Sequence, residues 1–399
     1  MLAILSAVVV FFLAVHLVLY NHTDQRFAKL AKLTFVLHAV IAIAILPFVY
    51  EVIGLTWDIG SYHRAAMEIY NGEIAYDSTA IQSFGVIMAI LYTIFTPDLA
   101  IPSLLNGVFA VLTPIPAAVV VRQLYPELQE TIGVKTVILL LPTTVFFMTL
   151  PMRDTMTVFV FFVSLALITK GINQRSYWRI IAAVPFVLWV SVPRMELAMI
   201  TLLGVLSAAG AYIVDRISGD LSTTGIIAVL GAVGAAGFGL FTREFYSVER
   251  ANSMMQTRAR DGAAYLEWME IHSWYDFLLV IPGRAIYFQF MPFPLYARNL
   301  IDILTMLSLP VLIAFAFGGI YCLIKKENNQ LVAVTLVVIY AAGIAGYGLI
   351  NSNFGTTVRH RIPFVYLLVI FAAPLVEQWV SSLIRRLNIS KYKQADNRG

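Results

Sequence analysis

The sequence predicts an all-α protein, a polytopic transmembrane helical bundle, and three observations support this fold class. Hydrophobic residues make up 60% of the 399 residues and charged residues only 13%, whereas soluble domains are about 45–50% apolar and about 25% charged. Apolar runs of about 20 residues recur along the chain, and each can cross a hydrocarbon core of about 30 Å. A membrane β-barrel would instead show short segments of alternating polarity.

We expect about eleven spans, an interfacial or re-entrant helix and an outer-face loop region, all within a single integral membrane domain over 1–399. The expected spans are 2–20, 34–54, 100–121, 135–150, 155–170, 177–192, 195–214, 224–241, 300–323, 330–350 and 362–384. The domain comprises a first module at 1–241 with an outer loop at 55–99, a long outer loop at 242–299, and C-terminal spans at 300–399.

Basic residues near the ends of the spans orient the chain. They are Arg26, Lys29, Lys32, Arg122, Lys135, Lys170, Arg175, Arg179, Arg216, Lys325, Lys326, Arg385, Arg386, Lys391 and Lys393. Lysine and arginine beside spans are enriched on the cytoplasmic side. With eleven spans, all of these loops share that side only if the segment 81–96 does not cross. Its 16 residues are few for a span, so we predict an interfacial or re-entrant helix there.

The extracytoplasmic face of the cell membrane then carries the more varied polar chemistry. Its segments are the loop that follows Asp58, the Arg153–Asp154 turn, the turn from Pro193 to Glu196, the 242–299 loop and the loop from Asn351 to Arg361. These segments combine charges of both signs with aromatic residues and prolines. We therefore expect the binding or catalytic surface on this face.

Several classes of site are excluded by composition. Cys322 is the only cysteine, which rules out an internal disulfide and a cysteine-based metal cluster. The chain has no P-loop and no GxGxxG sequence, which argues against an ATP-driven pump and a bound dinucleotide. The six histidines are scattered without an HExxH pairing. We predict no metal site and no cofactor, with a divalent cation requirement left open, and attribute the net charge of +4 to cytoplasmic anchors rather than to nucleic-acid binding.

Asp58 and Asp154 are the two candidate catalytic residues. Asp58 begins a polar stretch in which Tyr62, His63 and Arg64 are candidate substrate-binding residues. One interpretation is an amphipathic interfacial helix with Asp58 as its N-cap. The other is a general base that takes a proton from an acceptor hydroxyl.

Two tight turns between apolar helices supply further candidates. In the first, Arg153 and Asp154 form either a salt-bridged helix cap or a site in which Arg153 meets a phosphate and Asp154 orients the acceptor or the base. In the second, Arg194 and Glu196 either neutralise each other or bind substrate.

The remaining candidates are cationic and lie late in the chain. Arg284 precedes a run of aromatic residues and prolines, so it either belongs to an interfacial belt or holds a lipid phosphate. Arg359, His360 and Arg361 stand on the outer face, where basic residues beside a span are disfavoured. Two guanidinium groups suit a phosphate or diphosphate through bidentate hydrogen bonds.

Three stretches together resemble the GT-C superfamily of polytopic glycosyltransferases. The first is Asp58-Ile-Gly-Ser-Tyr-His-Arg-Ala-Ala-Met-Glu-Ile-Tyr-Asn-Gly-Glu73, similar to the family's first outer loop, in which an acidic residue precedes a Y-x-x-A helix. The segment 81–96 looks like the juxtamembrane helix that follows. The stretch from Asn353 to Pro363 is similar to the late N-x-G-T and R-x-R-x-P segment of some members.

The resemblance implies a transferase that takes a sugar from a polyprenyl-phosphate-linked donor. We expect it to invert the anomeric centre, because one carboxylate working as a base leaves no covalent intermediate. The acceptor would be a glycan, a lipid or a protein, and membrane lipids would surround the site. The family's catalytic acid maps onto Asp58 and its second acidic position onto Asp154. Two features depart from the family pattern: an extra span precedes the first outer loop, and no large soluble C-terminal domain follows. Protein N-glycosylation is therefore not expected.

Two alternatives stay open at the level of sequence. A polysaccharide repeat-unit polymerase of the Wzy or EpsG type would use the same outward arginines on a diphosphate-linked oligosaccharide. A secondary transporter or lipid flippase would show broken helices at the membrane midplane and internal repeats, and no convincing repeat occurs in this chain. A purely structural scaffold is the residual interpretation.

Overall fold

A computed structural model gives the fold of residues 1–22, 24–53, 57–73, 78–218, 248–258, 264–266, 269–293 and 300–396. Within these ranges the chain is helical and has no β-strand, although one isolated bridge pairs Ala264 with Asn353. The all-α prediction is confirmed for this part of the chain. The predicted span 224–241 lies outside the described residues.

The helices are numbered in chain order, and a π-helical turn at Ile41–Ile45 joins α2 to α3. Their bounds are α1 Leu2–Tyr20, α2 Gln25–Val40, α3 Leu46–Ile53, α4 Trp57–Tyr70, α5 Thr79–Ile94, α6 Ala100–Leu112, α7 Pro114–Leu124, α8 Ile132–Leu140, α9 Pro142–Thr149, α10 Asp154–Asn173, α11 Tyr177–Ser191, α12 Met195–Ser218, α13 Val248–Arg258, α14 Trp274–Phe290, α15 Leu300–Leu307, α16 Leu309–Lys325, α17 Gln330–Ile350, α18 Phe354–His360, α19 Ile362–Phe371 and α20 Ala373–Asp396.

The described residues contain seven helical segments long and apolar enough to cross a membrane, or nine if each of two bent helix pairs is one span. The prediction of about eleven spans is therefore not confirmed. Nine of the predicted spans have a counterpart among these segments. The predicted span 177–192 corresponds to α11, whose 15 residues rise only about 22 Å and fall short of the hydrocarbon thickness.

Prolines account for the two bent pairs. The axes of α8 and α9 differ by 59°, and those of α19 and α20 by 77°. Pro142 begins α9, and Leu141 before it has a ψ of 115°, because a residue that precedes proline is driven out of the helical region. Pro374 is the second residue of α20. Because proline has no N–H to donate, the hydrogen-bond ladder of α19 cannot continue through it.

Helix α5 runs back alongside α4 and ends near the level at which α4 begins. His63 of α4 bonds to Tyr92 near the end of α5 at 2.8 Å. Gly85 lets the two helices approach closely, since a Cβ there would lie 3.1 Å from the Cβ of Ala65. The hairpin thus starts and ends at one end of the bundle, and α5 is not among the helices long enough to span. This agrees with the prediction that 81–96 does not cross.

Helix α19 lies at the centre of the bundle, and all ten of its residues are buried. The short helix α18 leads directly into α19 and places Arg359 at the end of this central element. Helices α7, α16 and α17 pack around α19. Because the centre of the bundle is rigidly packed, the position of Arg359 is determined by the core rather than by a surface loop.

Polar contacts gather at the two ends of the bundle. Helix α10 has 20 residues, so its ends lie about 30 Å apart. At its far end, Asn173 donates to Gln123 at 2.8 Å and accepts from Asn329 at 2.9 Å. The charge pattern predicts that the loops at that end are cytoplasmic. At the near end, Asp154 contacts Arg194 and Arg359, which belong to two other predicted outer segments. The compartment that each end faces stays a prediction.

Candidate functional site

Five charged side chains from four separate segments meet at the near end of α10. We call Asp58, Arg153, Asp154, Arg194 and Arg359 the carboxylate–arginine cluster. The guanidinium of Arg359 donates to Asp58 at 2.7 Å and lies 3.8 Å from the carboxylate of Asp154. Arg194 donates to the other oxygen of Asp154. The structure therefore brings together both candidate catalytic residues and three of the predicted substrate-binding arginines.

Local structure fixes the position of Arg359. The side chain of Asn353 caps α18 by accepting from the backbone N–H groups of Gly355 and Thr356. Arg359 then folds back along this short helix and donates through Nε to the carbonyl of Gly355 at 3.2 Å. Its Nη1 also contacts the sulfur of Met152. These contacts hold the guanidinium between the two carboxylates.

Asp154 and Arg194 form a largely buried ion pair. Both side chains are only 12% exposed. Asp154 is the first residue of α10, and Arg153 rather than Asp154 occupies the cap position, without a capping hydrogen bond from its side chain. Neither the interpretation of Asp154 as an N-cap nor that of Arg194 as the partner of Glu196 holds. Arg194 instead pairs with a carboxylate 40 residues away, because its side chain points into the bundle.

Asp58 is the accessible carboxylate of the cluster. Its side chain is 51% exposed, in contrast to 12% for Asp154. It lies within the first turn of α4, one residue inside the helix and not at the cap position that the sequence allowed. Asp58 therefore combines access from outside the bundle with an orienting bond to Arg359. A general base needs such access, because it must come within hydrogen-bond reach of the proton that it takes.

Arg153 has hydrogen-bond donors without an acceptor. Its Nε and Nη1 atoms are buried and have no partner, and its guanidinium carbon lies 5.9 Å from the centre of the Tyr62 ring. Burial raises the pKa of Tyr62 to about 12, so its phenol stays neutral beside the cation. Buried donors are nearly always satisfied in folded proteins. The unsatisfied pair on Arg153 therefore suits an anionic ligand.

Three predicted substrate-binding residues have other surroundings. His63 bonds to Tyr92, and burial lowers its pKa, which favours the neutral ring. Arg64 is exposed on α4, and Glu196 lies half-buried in the first turn of α12. The ring of His63 therefore takes part in a contact with α5 rather than in an ion pair of the cluster.

Arg284 belongs to a separate buried polar group. Its side chain is 0% exposed. It donates to the carbonyls of Gly348 and Asn351 and to the hydroxyl of Ser352, at 3.0, 2.9 and 2.7 Å. These bonds join α14 to the end of α17. Arg284 therefore braces the segment that leads to α18, and no contact places it on the cluster.

Arg359, His360 and Arg361, which the sequence suggested as one cationic triplet, point in different directions in the structure. Arg361 is 2% exposed, and its Nη1 donates to the carbonyls of Gln289 and Met291. His360 lies 3.2 Å from the amide of Asn351. Successive residues of a helix point about 100° apart, so residues 359 and 361 face nearly opposite directions. Arg359 contacts the carboxylates, whereas Arg361 contacts backbone carbonyls. This corrects the expectation that the two guanidinium groups bind a phosphate together.

The sequence interpretation missed two residues beside the cluster. Met152 contacts Arg359, and Asn106 of α6 donates to the turn that carries Arg153 and Asp154. Asn106 is fully buried. The available signal was an amide within an otherwise apolar span, since polar groups at membrane depth are costly unless they bond.

A pocket of about 210 Å³ lies at the same end of the bundle. Its walls include Gln256 of α13, the residues Leu266 and Glu270, and Ser352. The lining of this pocket combines polar and apolar side chains. Within the described ranges, no group of three His, Cys, Asp or Glu side chains is placed to hold a metal ion.

Comparison with known proteins assigns no family. No protein-family model matches the chain, and no curated protein matches it. The geometry of the carboxylate–arginine cluster is therefore the observation that supports a function.

Proposed function

We propose that the chain is a membrane glycosyltransferase that moves a sugar from a polyprenyl-phosphate-linked donor to an acceptor hydroxyl. One observation carries the proposal. The exposed carboxylate of Asp58 and the unpaired donors of Arg153 belong to one cluster at a membrane end of the bundle. The first suits a base and the second suits a phosphate.

Charge balance supports a phosphodiester at Arg153. The cluster contains two carboxylates and three guanidinium groups, which leaves one positive charge among these five side chains. Asp58 and Asp154 hold Arg359 and Arg194, so the uncompensated cation is Arg153. A sugar linked through a single phosphate to a prenyl chain carries one negative charge. Its headgroup would lie at the depth where arginine meets lipid phosphates.

The reaction follows from these two positions. Asp58 takes the proton of the acceptor hydroxyl as its oxygen bonds to the anomeric carbon. The bond between that carbon and the phosphate oxygen breaks, and polyprenyl phosphate leaves with the electron pair. Arg153 stabilises the charge that develops on the leaving phosphate. Attack from the face opposite the phosphate inverts the anomeric centre.

Asp154 has a supporting part in this scheme. It is largely buried, and its two oxygens face Arg194 and Arg359. We propose that Asp154 aligns Arg359, which in turn orients Asp58. The sequence left two roles open for Asp154, orienting the acceptor and orienting the base, and this proposal takes the second.

Sugar transfer in proteoliposomes tests the proposal. The donors are radiolabelled hexoses and pentoses linked to polyprenyl monophosphate, and the variants are Asp58→Asn and Arg153→Ala. We expect each variant to lose at least about 100-fold in transfer rate, as general-base and charge-stabilising groups do. Glu68→Gln, on the same helix as Asp58, and Arg26→Ala, at the other end of the bundle, are matched controls that should retain wild-type rates.

Other results would redirect the assignment. Transfer that survives in Asp58→Asn removes Asp58 as the base. Wild-type addition of many repeat units from a diphosphate-linked oligosaccharide supports a polymerase. Movement of the labelled lipid across the bilayer without sugar transfer supports a flippase.

A further inference from the structure

A single buried amide holds the turn that presents Arg153 and Asp154. This turn, Leu150 to Arg153, joins α9 to α10. The Nδ2 group of Asn106 donates to the carbonyl of Leu150 at 2.5 Å and to the carbonyl of Met152 at 2.8 Å. Both N–H bonds of one side chain are thus used on one turn.

The second of these bonds acts on the peptide that leads into Arg153. The carbonyl of Met152 belongs to the peptide group that joins Met152 to Arg153. Its orientation sets the direction in which the next side chain leaves the backbone, because the peptide group is planar. Met152 also contacts Arg359 through its sulfur. The consecutive residues Met152, Arg153 and Asp154 therefore contact or belong to the cluster, and Asn106 bonds to the backbone of the turn that leads into them.

The side-chain amide of Asn106 is energetically unfavourable at this buried position. Asn106 is 0% exposed within the span Ala100–Leu124, and its Oδ1 has no hydrogen-bond partner. A buried polar atom without a partner destabilises the folded state. A leucine would avoid this cost and would suit the surrounding apolar helix. An amide here is therefore better explained by the position of the turn than by the packing of α6.

We propose that Asn106 is a positioning residue that keeps the Arg153 guanidinium in the orientation that binds the donor phosphate. The proposal rests on the proposed function for the identity of the ligand. The geometric part does not depend on it, because the two hydrogen bonds constrain the turn whatever the cluster binds. Two measurements therefore separate the two claims.

The first measurement needs no ligand. Cys322 is the only cysteine in the chain, so a Cys322→Ala, Arg153→Cys protein has a single thiol, on the turn. We measure its rate of reaction with a small neutral thiol reagent, with and without Asn106→Leu. We expect Asn106→Leu to raise the rate at least fivefold, because the turn loses both amide bonds. An unchanged rate overturns the proposal.

Ser103→Ala is the matched control for the thiol rate. Ser103 lies one turn earlier on α6, is 1% exposed, and has an unpaired hydroxyl. Its removal should leave the thiol rate within twofold of the parent protein. An equal increase from Ser103→Ala would mean that any change in α6 loosens the turn, and would overturn a specific role for Asn106.

The second measurement reads the phosphate site. We measure the binding of polyprenyl monophosphate and of the prenyl alcohol of equal length to the full chain in nanodiscs. Asn106→Leu should weaken phosphate binding about tenfold and leave alcohol binding within twofold. It should cause no further loss in an Arg153→Ala background, whereas a purely structural role would give losses that add and would affect both lipids. Additive losses overturn the proposal.

A different result would contradict the proposed function. If the wild-type chain binds the phosphate and the alcohol equally, Arg153 is not a phosphate site and the ligand assignment falls. The thiol rate then still decides whether Asn106 positions the turn. Melting temperatures of all variants show whether each protein is folded under the assay conditions.

Discussion

Replacing Asp154 by Asn removes the negative charge that two arginines share. The resulting loss in the free energy of unfolding can be worked out from the contacts. Arg194 is 12% exposed and has Asp154 as its ion-pair partner. Breaking a buried pair by removing one partner costs about 3–5 kcal/mol, because the other charge stays buried without compensation. We therefore expect Asp154→Asn to lower the free energy of unfolding by about 3–5 kcal/mol.

Replacing the partner, Arg194, should lower the free energy of unfolding by a smaller amount. In Arg194→Gln, Asp154 keeps Arg359 at 3.8 Å, and at an effective dielectric constant of 20 that attraction is about 4 kcal/mol. We expect Arg194→Gln to cost at least about 1 kcal/mol less than Asp154→Asn. The double variant should cost less than the sum of the two, by about 1–3 kcal/mol, because the two side chains are in direct contact.

Graded unfolding in a denaturing detergent measures these differences. The single thiol, Cys322, is 0% exposed, so its reaction with a maleimide dye reports the unfolded fraction without an added label site. Glu249→Gln, an exposed substitution on α13, should change the free energy by no more than about 0.5 kcal/mol. Equal costs for the two single variants, or additive costs in the double variant, would refute the reasoning.

Three further predictions concern Arg359, His63 and two glycines. Arg359→Lys should reduce sugar transfer at least about tenfold, because an ammonium on a flexible stem cannot bridge two carboxylates as a planar guanidinium does; steady-state rates in proteoliposomes measure this. Burial holds the pKa of His63 below its ordinary value of 6.5. The unfolded chain therefore binds more protons than the folded chain, and the free energy of unfolding should fall as the pH drops through about 6.5. His63→Gln should remove this part of the pH dependence from unfolding curves measured in detergent. Gly343→Ala should destabilise the protein strongly, since its Cβ would lie 1.9 Å from the ring of Phe364. Gly283→Ala is the control, because a Cβ there meets no atom within 4 Å. The melting temperature of Gly343→Ala should be clearly lower than that of Gly283→Ala.

Much of the architecture could be read from hydropathy and charge. Long apolar runs marked most of the described spans, and the short 81–96 segment was distinguished by its length. The positive-inside pattern also grouped Asp58, Asp154, Arg194 and Arg359 on one face, and the structure brings these four together. The grouping was predictable because helix length keeps the two ends of each span apart.

The partners within that group could not be predicted. Neighbours along the chain suggested a pair of Arg194 with Glu196, but Arg194 bonds to Asp154. The three basic residues at 359–361 looked like one site, but helical geometry turns Arg361 towards the carbonyls of α14 and the residue after it. Sequence spacing does not report which side chains of different helices face each other.

The sequence by itself therefore determined that this is an all-helical, multi-pass membrane protein with its unusual charges at one set of helix ends. Hydrophobicity and the cost of exposing the backbone to lipid are sufficient for that conclusion. Only the tertiary structure decided that Arg359 bridges two carboxylates, that Arg153 keeps unpaired donors, and that Asn106 holds the turn between them. These depend on how α4, α6, α10 and α18 pack, and packing is a property of many distant residues together.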